Sequence, residues 1–278
     1  MKCINKMKYI IIVAFCSILD MSFHVMTSKI STIPNISNFS ILTKVIGVTQ
    51  SAILWILIAF SSVAYVFYLY KNKLPGVNNT LKGLRYGSTI SLLWLFGMIE
   101  GVSLVGNTLI HETVMGLCDA FPIIVMGLLL CKFTTERTAI KQKNNSFNPC
   151  TILLSVFIFS IVFLVGRYLF YFTRIIESGY ETRPYSTFIW TFLMGLCIGV
   201  TYISLGKSTQ SSSIILSSVK FGATIFGINW SVFLVFMPII YEGTLIKFII
   251  RCTIDIILVI LGYYISASLE KLITKKML

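Results

Sequence analysis

The stretch HETVMGLCDAFP, residues 111–122, sets a histidine, a glutamate and an aspartate inside an apolar run. Imidazole and carboxylate groups exchange protons and bind cations, and residues four or seven apart share one side of a helix. His111, Met115 and Asp119 therefore form one stripe, with Glu112 beside it. A lone carboxylate in lipid costs several kcal/mol, so Asp119 must be protonated, paired within a bundle or bathed in water. By rise per residue Asp119 lies about 18 Å below the turn that precedes its helix, and Glu100, on the helix before, lies about 9 Å below it. Glu100, His111, Glu112 and Asp119 are thus the expected lining of one polar groove open to the outside. Asp20 and His24, four apart on the first helix, are candidates to join them.

Known enzyme signatures do not fit these residues. HETVM imitates the first half of HExxH, but Met115 stands where the second zinc-ligating histidine belongs, so that metal site cannot form. Neither a GxSxG elbow nor a phosphate-binding GxxxxGKS loop is present, and no cofactor is expected. The seven cysteines are scattered without CxxC pairs and read as small helix-packing residues.

The elements that position these side chains follow from composition. Of 278 residues 56% are hydrophobic and only 12% charged, with a mean hydropathy of +0.87, which excludes an ordinary soluble domain and names the lipid bilayer as solvent. Eight apolar runs are near the length of about 20 residues that crosses a hydrocarbon core. They fall at 9–27, 46–70, 84–105, 110–132, 151–173, 186–205, 213–239 and 246–268. Only the turn signal at Gly106 and Asn107 separates the third from the fourth, which predicts a tight helical hairpin. The first run has a basic start, but Asp20, Phe23 and His24 stand where a signal peptide needs small residues, so it is read as a transmembrane helix.

Lys and Arg are retained on the cytoplasmic side. With the N-terminus inside, the inner segments hold Lys2, Lys6, Lys8, Lys71, Lys73, Lys82, Arg85, Lys132, Arg137, Lys141, Lys143, Lys207, Lys271, Lys275 and Lys276. The outer ones hold Lys29, Lys44, Arg174, Arg183 and Lys247, diluted by Glu177, Glu181 and Glu242. A multi-pass protein of the plasma membrane with both termini cytoplasmic is expected. The net charge of +13 is explained by topology and anionic lipid; without a recognition motif it does not point to nucleic acid. Glycosylation-type triplets NIS at 35–37 and NFS at 38–40 fall in an outer loop.

The chain also aligns with itself at an offset near 135. Trp55 lies over Trp190, and LKGLRYGSTI lies over LSSVKFGATI, pairing Arg85 with Lys220, Gly87 with Gly222 and Thr89 with Thr224. One residue later in register, Asp119 falls on Asp255. Apolar sequences align somewhere by chance, but here the residues that are rare in membranes match in order. The reading is an all-α integral membrane protein of about eight transmembrane helices, arranged as two parallel four-helix repeats. The first repeat spans 1–132, a cytoplasmic linker 133–149, and the second repeat 150–278. In the second copy the stripe of Asp119 becomes Lys247, Arg251 and Asp255, where Arg251 is a neutralising partner one turn away.

Duplicated bundles suggest a transporter or permease that moves a small solute or cation along a polar pathway between the halves, exposed to either side by rocking. Two other classes meet the same pattern. One is a membrane subunit, chaperone or immunity-type protein whose polar residues meet a membrane protein partner; the other is a membrane-embedded enzyme of lipid or isoprenoid chemistry. Gly83, Gly87, Gly97 and Gly101 are expected to bring helices close, and Arg167 to reach the outer interface.

Overall fold

Apolar runs bounded by turn residues and crossed by few charges become long helices when the backbone must satisfy its own hydrogen bonds in lipid. The computed structural model describes residues 2–28, 38–135 and 149–277, with side chains for 6–28, 38–135 and 149–273. Lys29, Arg137, Lys141, Lys143 and the NIS triplet lie outside the described residues, as do most of the linker and the side chains of Lys2, Lys275 and Lys276.

The elements are α1 (Lys2–Thr27), α2 (Ile41–Ile46), α3 (Val48–Tyr70), α4 (Asn79–Leu104), α5 (Leu109–Thr134), α6 (Pro149–Phe172), α7 (Pro184–Leu205), α8 (Ile214–Lys220), α9 (Gly227–Leu234), α10 (Phe236–Ile240) and α11 (Leu245–Met277). Among the described residues there is no strand, only an isolated bridge between Phe39 and Tyr241. Seven helices are long and apolar enough to cross a membrane: Lys6–Thr27, Val48–Tyr70, Asn79–Leu104, Leu109–Thr134, Pro149–Phe172, Pro184–Thr209 and Ile214–Ile240. The eighth run of the sequence falls within α11, a helix of 33 residues.

The seventh of these spans is not one regular helix. It passes from α8 through a π-helical turn at Phe221–Phe226 into α9, then bends at Val235 into α10. Apolar composition carries no signal for this change, because a π-turn alters which residues share a face but not their hydropathy.

The α4–α5 hairpin is built by identifiable local chemistry. The Asn78 side chain accepts from the Leu81 N–H to start α4, and the Thr108 hydroxyl accepts from the His111 N–H to start α5. Between them Gly106 takes φ +87°, the left-handed conformation that L side chains resist, and the Gly101 carbonyl accepts from the N–H groups of Val105, Gly106 and Asn107. Arg183, just before α7, donates to the carbonyls of Ser103, Leu104 and Val105, a cation set against the negative end of α4.

α4 and α5 share the most extensive helix contact of the molecule. A Cβ at Gly83 would stand 2.6 Å from the Gly127 carbonyl oxygen, and one at Gly127 would stand 2.5 Å from that of Gly83. Only hydrogen fits there, so the two backbones touch. Behind this contact an aromatic core of Trp55, Phe60, Phe67, Tyr86, Trp94, Trp230 and Phe233 fills the centre. The starts of α1 and the ends of α3 and α5 lie at one end of the bundle, where Lys8 donates to the Phe133 carbonyl and Lys71 to that of Thr134. The ion pairs Lys44–Glu242, Lys247–Glu177 and Arg174–Glu181 lie at the opposite end, set by α2, the first turn of α11 and the connecting segments. The described cysteines form no disulfide.

Candidate functional site

Three polar clusters occupy the interior of the bundle, and the four residues that the sequence sets in one groove are divided among them. The first closes the hairpin. Glu112, 3% exposed, lays its carboxylate against Gly101, where even a Cβ would collide with it, and accepts from the Asn107 amide. The His111 Nδ1 lies 3.5 Å from the same carboxylate. Glu112 thus bridges the turn to the helix that follows it, a structural position in which the missing Gly101 side chain is what admits the carboxylate.

The second cluster joins α4, α6 and α11. Arg167 is fully buried and forms a two-bond fork on Asp255, with Nε and Nη2 each 2.6 Å from a carboxylate oxygen. Such planar pairing is the strong geometry for a charged hydrogen bond. Trp230 Nε1 donates to Asp255 at 2.8 Å, and Arg167 Nη1 donates to the Tyr171 hydroxyl at 3.2 Å. The guanidinium also lies over the rings of Phe163, Tyr171 and Trp190. Glu100 stands 3.6 Å from Arg167 and pairs directly with Arg251. Two arginines and two carboxylates make the quartet formally neutral, which is how four ionic groups can be kept out of water together.

The sequence expects Arg251, one turn before Asp255, to neutralise that aspartate. Instead Arg251 turns to Glu100 across to α4, and Arg167 takes Asp255. Arg167 was expected at the outer interface, and its complete burial is the clearest departure from that reading. The available signal was the imbalance of charge: an aspartate within an apolar run calls for a cation at its own depth, and α6 supplies one.

The third cluster lies between α1 and α5. Asp119, 2% exposed, accepts from or donates to His24 Nε2 at 2.8 Å, according to the protonation of the pair. Asp20 is 0% exposed, and neither of its carboxylate oxygens has a hydrogen-bond partner. One donor atom from each of Asp20, His24 and Asp119 lies within 4.8 Å of the others. The helices are held in this register by further contacts on both sides. Thr27 and Cys118 approach at 3.5 Å, Phe23 meets Phe121 edge to face, and Thr134 donates to Tyr9 near the far end. Pro122 sits inside α5 and has no N–H, so the Cys118 carbonyl loses its usual helical donor one residue from Asp119.

Charge separates this cluster from the quartet. Two carboxylates face one imidazole, and among the described residues no Lys or Arg stands within ion-pair distance of Asp20 or Asp119. The group carries a surplus negative charge in a nearly water-free place unless it takes up protons or a cation. His24, whose side chain is 33% exposed, is its least buried member.

No known protein family, no curated protein and no solved structure matches this chain.

Proposed function

We propose that the protein is a transporter-like membrane protein of eight spans in two related halves, and that the cluster of Asp20, His24 and Asp119 is the exchanging site for the proton or cation it moves. The observation that carries this reading is the unbalanced negative charge of that cluster beside the balanced quartet that joins α4 to α6 and α11. A balanced network holds helices together; an unbalanced one must bind and can release.

The duplication is supported by reciprocal contacts. Trp55 Nε1 donates to the Val232 carbonyl at 2.8 Å, and Trp190 Nε1 donates to the Phe96 carbonyl at 2.7 Å. Exchanging the halves at the offset near 135 turns one bond into the other. Gly87 abuts Ile124 of α5, while its counterpart Gly222 abuts Ile260 of α11. In each half an aspartate of the last helix meets a cationic or protonatable group of the first: Asp119 with His24, Asp255 with Arg167. Trp230 serves Asp255, whereas the Nε1 of fully buried Trp94, its match in the first half, has no partner. The second half has become a fixed clamp and the first keeps a titratable site.

The moving element in this reading differs from the rocking of whole halves. The quartet ties α4 of the first half to α6 and α11 of the second, which opposes separation at that seam. α1 packs chiefly on α3 and α5, so opening α1 against α5 exposes the cluster while the rest stays closed. Both termini face the cytoplasm of a cell membrane in this scheme, in keeping with the distribution of Lys and Arg.

The test is proton flux into liposomes holding the purified protein and a pH-sensitive dye, driven by a potassium diffusion potential. Asp119→Asn should reduce flux at least tenfold while the purified protein stays monodisperse. Flux equal to that of the unaltered protein would remove Asp119 from this role.

A further inference from the structure

Two aspartates and a histidine from two helices converge with their donor atoms within 4.8 Å, and one of them, Asp20, is fully buried with both oxygens unpartnered. We infer that Asp20, His24 and Asp119 together bind one divalent transition-metal ion of the zinc class, which deepens the proposed function by naming the cation.

Charge is the first argument. Two ionised carboxylates with a neutral imidazole carry two negative charges, and one divalent ion cancels them without any proton being taken up. Without an ion, neutrality takes two protons, one shared by the carboxylates and one on His24; a single divalent ion achieves it alone and also gives partners to the Asp20 oxygens, neither of which has a hydrogen bond.

The donor set is the second. Calcium takes six to eight oxygens and magnesium demands an octahedral oxygen shell, and neither is served by three side chains of which one is an imidazole. Zinc, manganese and ferrous ions accept mixed nitrogen and oxygen donors, with zinc bonds of about 2.0–2.2 Å. Tetrahedral donors at that bond length stand roughly 3.3 Å apart, so His24 and Asp119, now 2.8 Å apart, must open slightly, while donors as far as 4.8 Å apart must close by side-chain rotation. Three protein donors leave one position open, which suits an ion that enters and leaves and distinguishes the site from a closed structural one. His24 is the least buried of the three donors, and Asp20 is fully buried.

Neutral imidazole is the metal-binding form, because the ring nitrogen must offer its lone pair to the ion. The quartet around Arg167 competes poorly for the same ion, because its carboxylates already have arginine partners.

The test uses Co2+ as a spectroscopic stand-in, titrated into full-length protein in detergent. One Co2+ per chain is expected, with visible absorption bands of a low-coordinate site. His24→Ala and, as a second variant of near-native volume, His24→Gln should each weaken binding about tenfold or more, while Glu242→Gln at an exposed position should not. No saturable binding below about 1 mM, or histidine variants that bind as the parent does, would overturn the metal site. The two proposals separate in combination with the flux assay. If Asp119→Asn abolishes proton flux but Co2+ does not bind, the metal assignment fails and transport stands. If Co2+ binds and Asp119→Asn leaves both proton flux and Co2+ uptake into the liposomes unchanged, the metal site stands and the transport reading fails.

Discussion

Replacing Arg167 with methionine keeps most of the side-chain volume and removes the charge and its hydrogen-bonding fork. Asp255 then retains the Trp230 indole as its only hydrogen-bond donor in the cluster, and Tyr171 loses its guanidinium neighbour. Two magnitudes compete. An ordinary interhelical hydrogen bond in a membrane protein averages about 0.6 kcal/mol, because unfolded helices find other partners in lipid. Removing one member of a fully desolvated ion pair costs about 3–5 kcal/mol, because a charge is left behind that no partner neutralises. With Arg167 and Asp255 both at 0% exposure, the second effect wins, and Arg167→Met should cost about 3 kcal/mol or more. In Arg167→Met/Asp255→Leu the stranded charge is gone, so the double variant should be less destabilised than the sum of the singles, with a coupling of about 3 kcal/mol. Unfolding of the full-length protein in mixed micelles with rising dodecyl sulfate, followed by tryptophan fluorescence, reads these differences. A loss below about 1 kcal/mol for Arg167→Met, or additive single effects, would refute the clamp.

Two further outcomes follow from other parts of the fold. At the α4–α5 contact, Gly127→Val should destabilise by about 1–3 kcal/mol or more, since the added atoms meet the Gly83 carbonyl and the Gly87 backbone, neither of which can rotate away; the monodisperse fraction after detergent extraction checks this. Beside α2, the Lys44 ammonium hydrogen-bonds Glu242 and holds its carboxyl below the usual carboxylate range. A carboxyl lowered on folding contributes above its unfolded value of about 4.3 and loses that contribution as pH falls through the folded value. Amide exchange in α2, corrected for the intrinsic rate, should therefore be faster relative to the rest of the chain at pH 3 than at pH 6, and an unchanged ratio would show that the pair does not fasten α2.

The helices were legible because lipid imposes a length and a composition on whatever crosses it. The hairpin at Gly106 and Asn107 emerged where those two residues break the apolar run, and α4 and α5 end and begin within a few residues of the sequence boundaries. α1 and α11 extend beyond their apolar runs because a helix continues through its charged ends, which hydropathy cannot register. The π-turn in the seventh span had no compositional sign. Among the glycines, Gly83 and Gly87 serve contact with α5 as their spacing suggests, whereas Gly97 faces Phe233 and Trp230, and Gly101 receives a carboxylate.

The site was legible by residue type and not by partnership. Depth along a helix follows from counting, so Glu100, Glu112 and Asp119 were recognisable as intramembrane acids. Which helix faces which is decided by packing across the bundle, and that distributes these three to Arg251, Asn107 and His24 in turn. Asp20 and His24 share a helical face with i, i+4 spacing, and this was the one sequence sign that α1 brings a paired donor set.

The central claim is that Asp119 is reached by water when α1 opens. Modification of Asp119→Cys by a small membrane-impermeant thiol reagent, in intact membranes and on a background with the seven native cysteines replaced, tests it most directly. The account predicts labelling from the outer face, slowed by a disulfide engineered to hold α1 against α5. Complete protection from both faces, in a variant shown to be inserted and folded, would contradict it and leave the cluster as a packed seam between two helices.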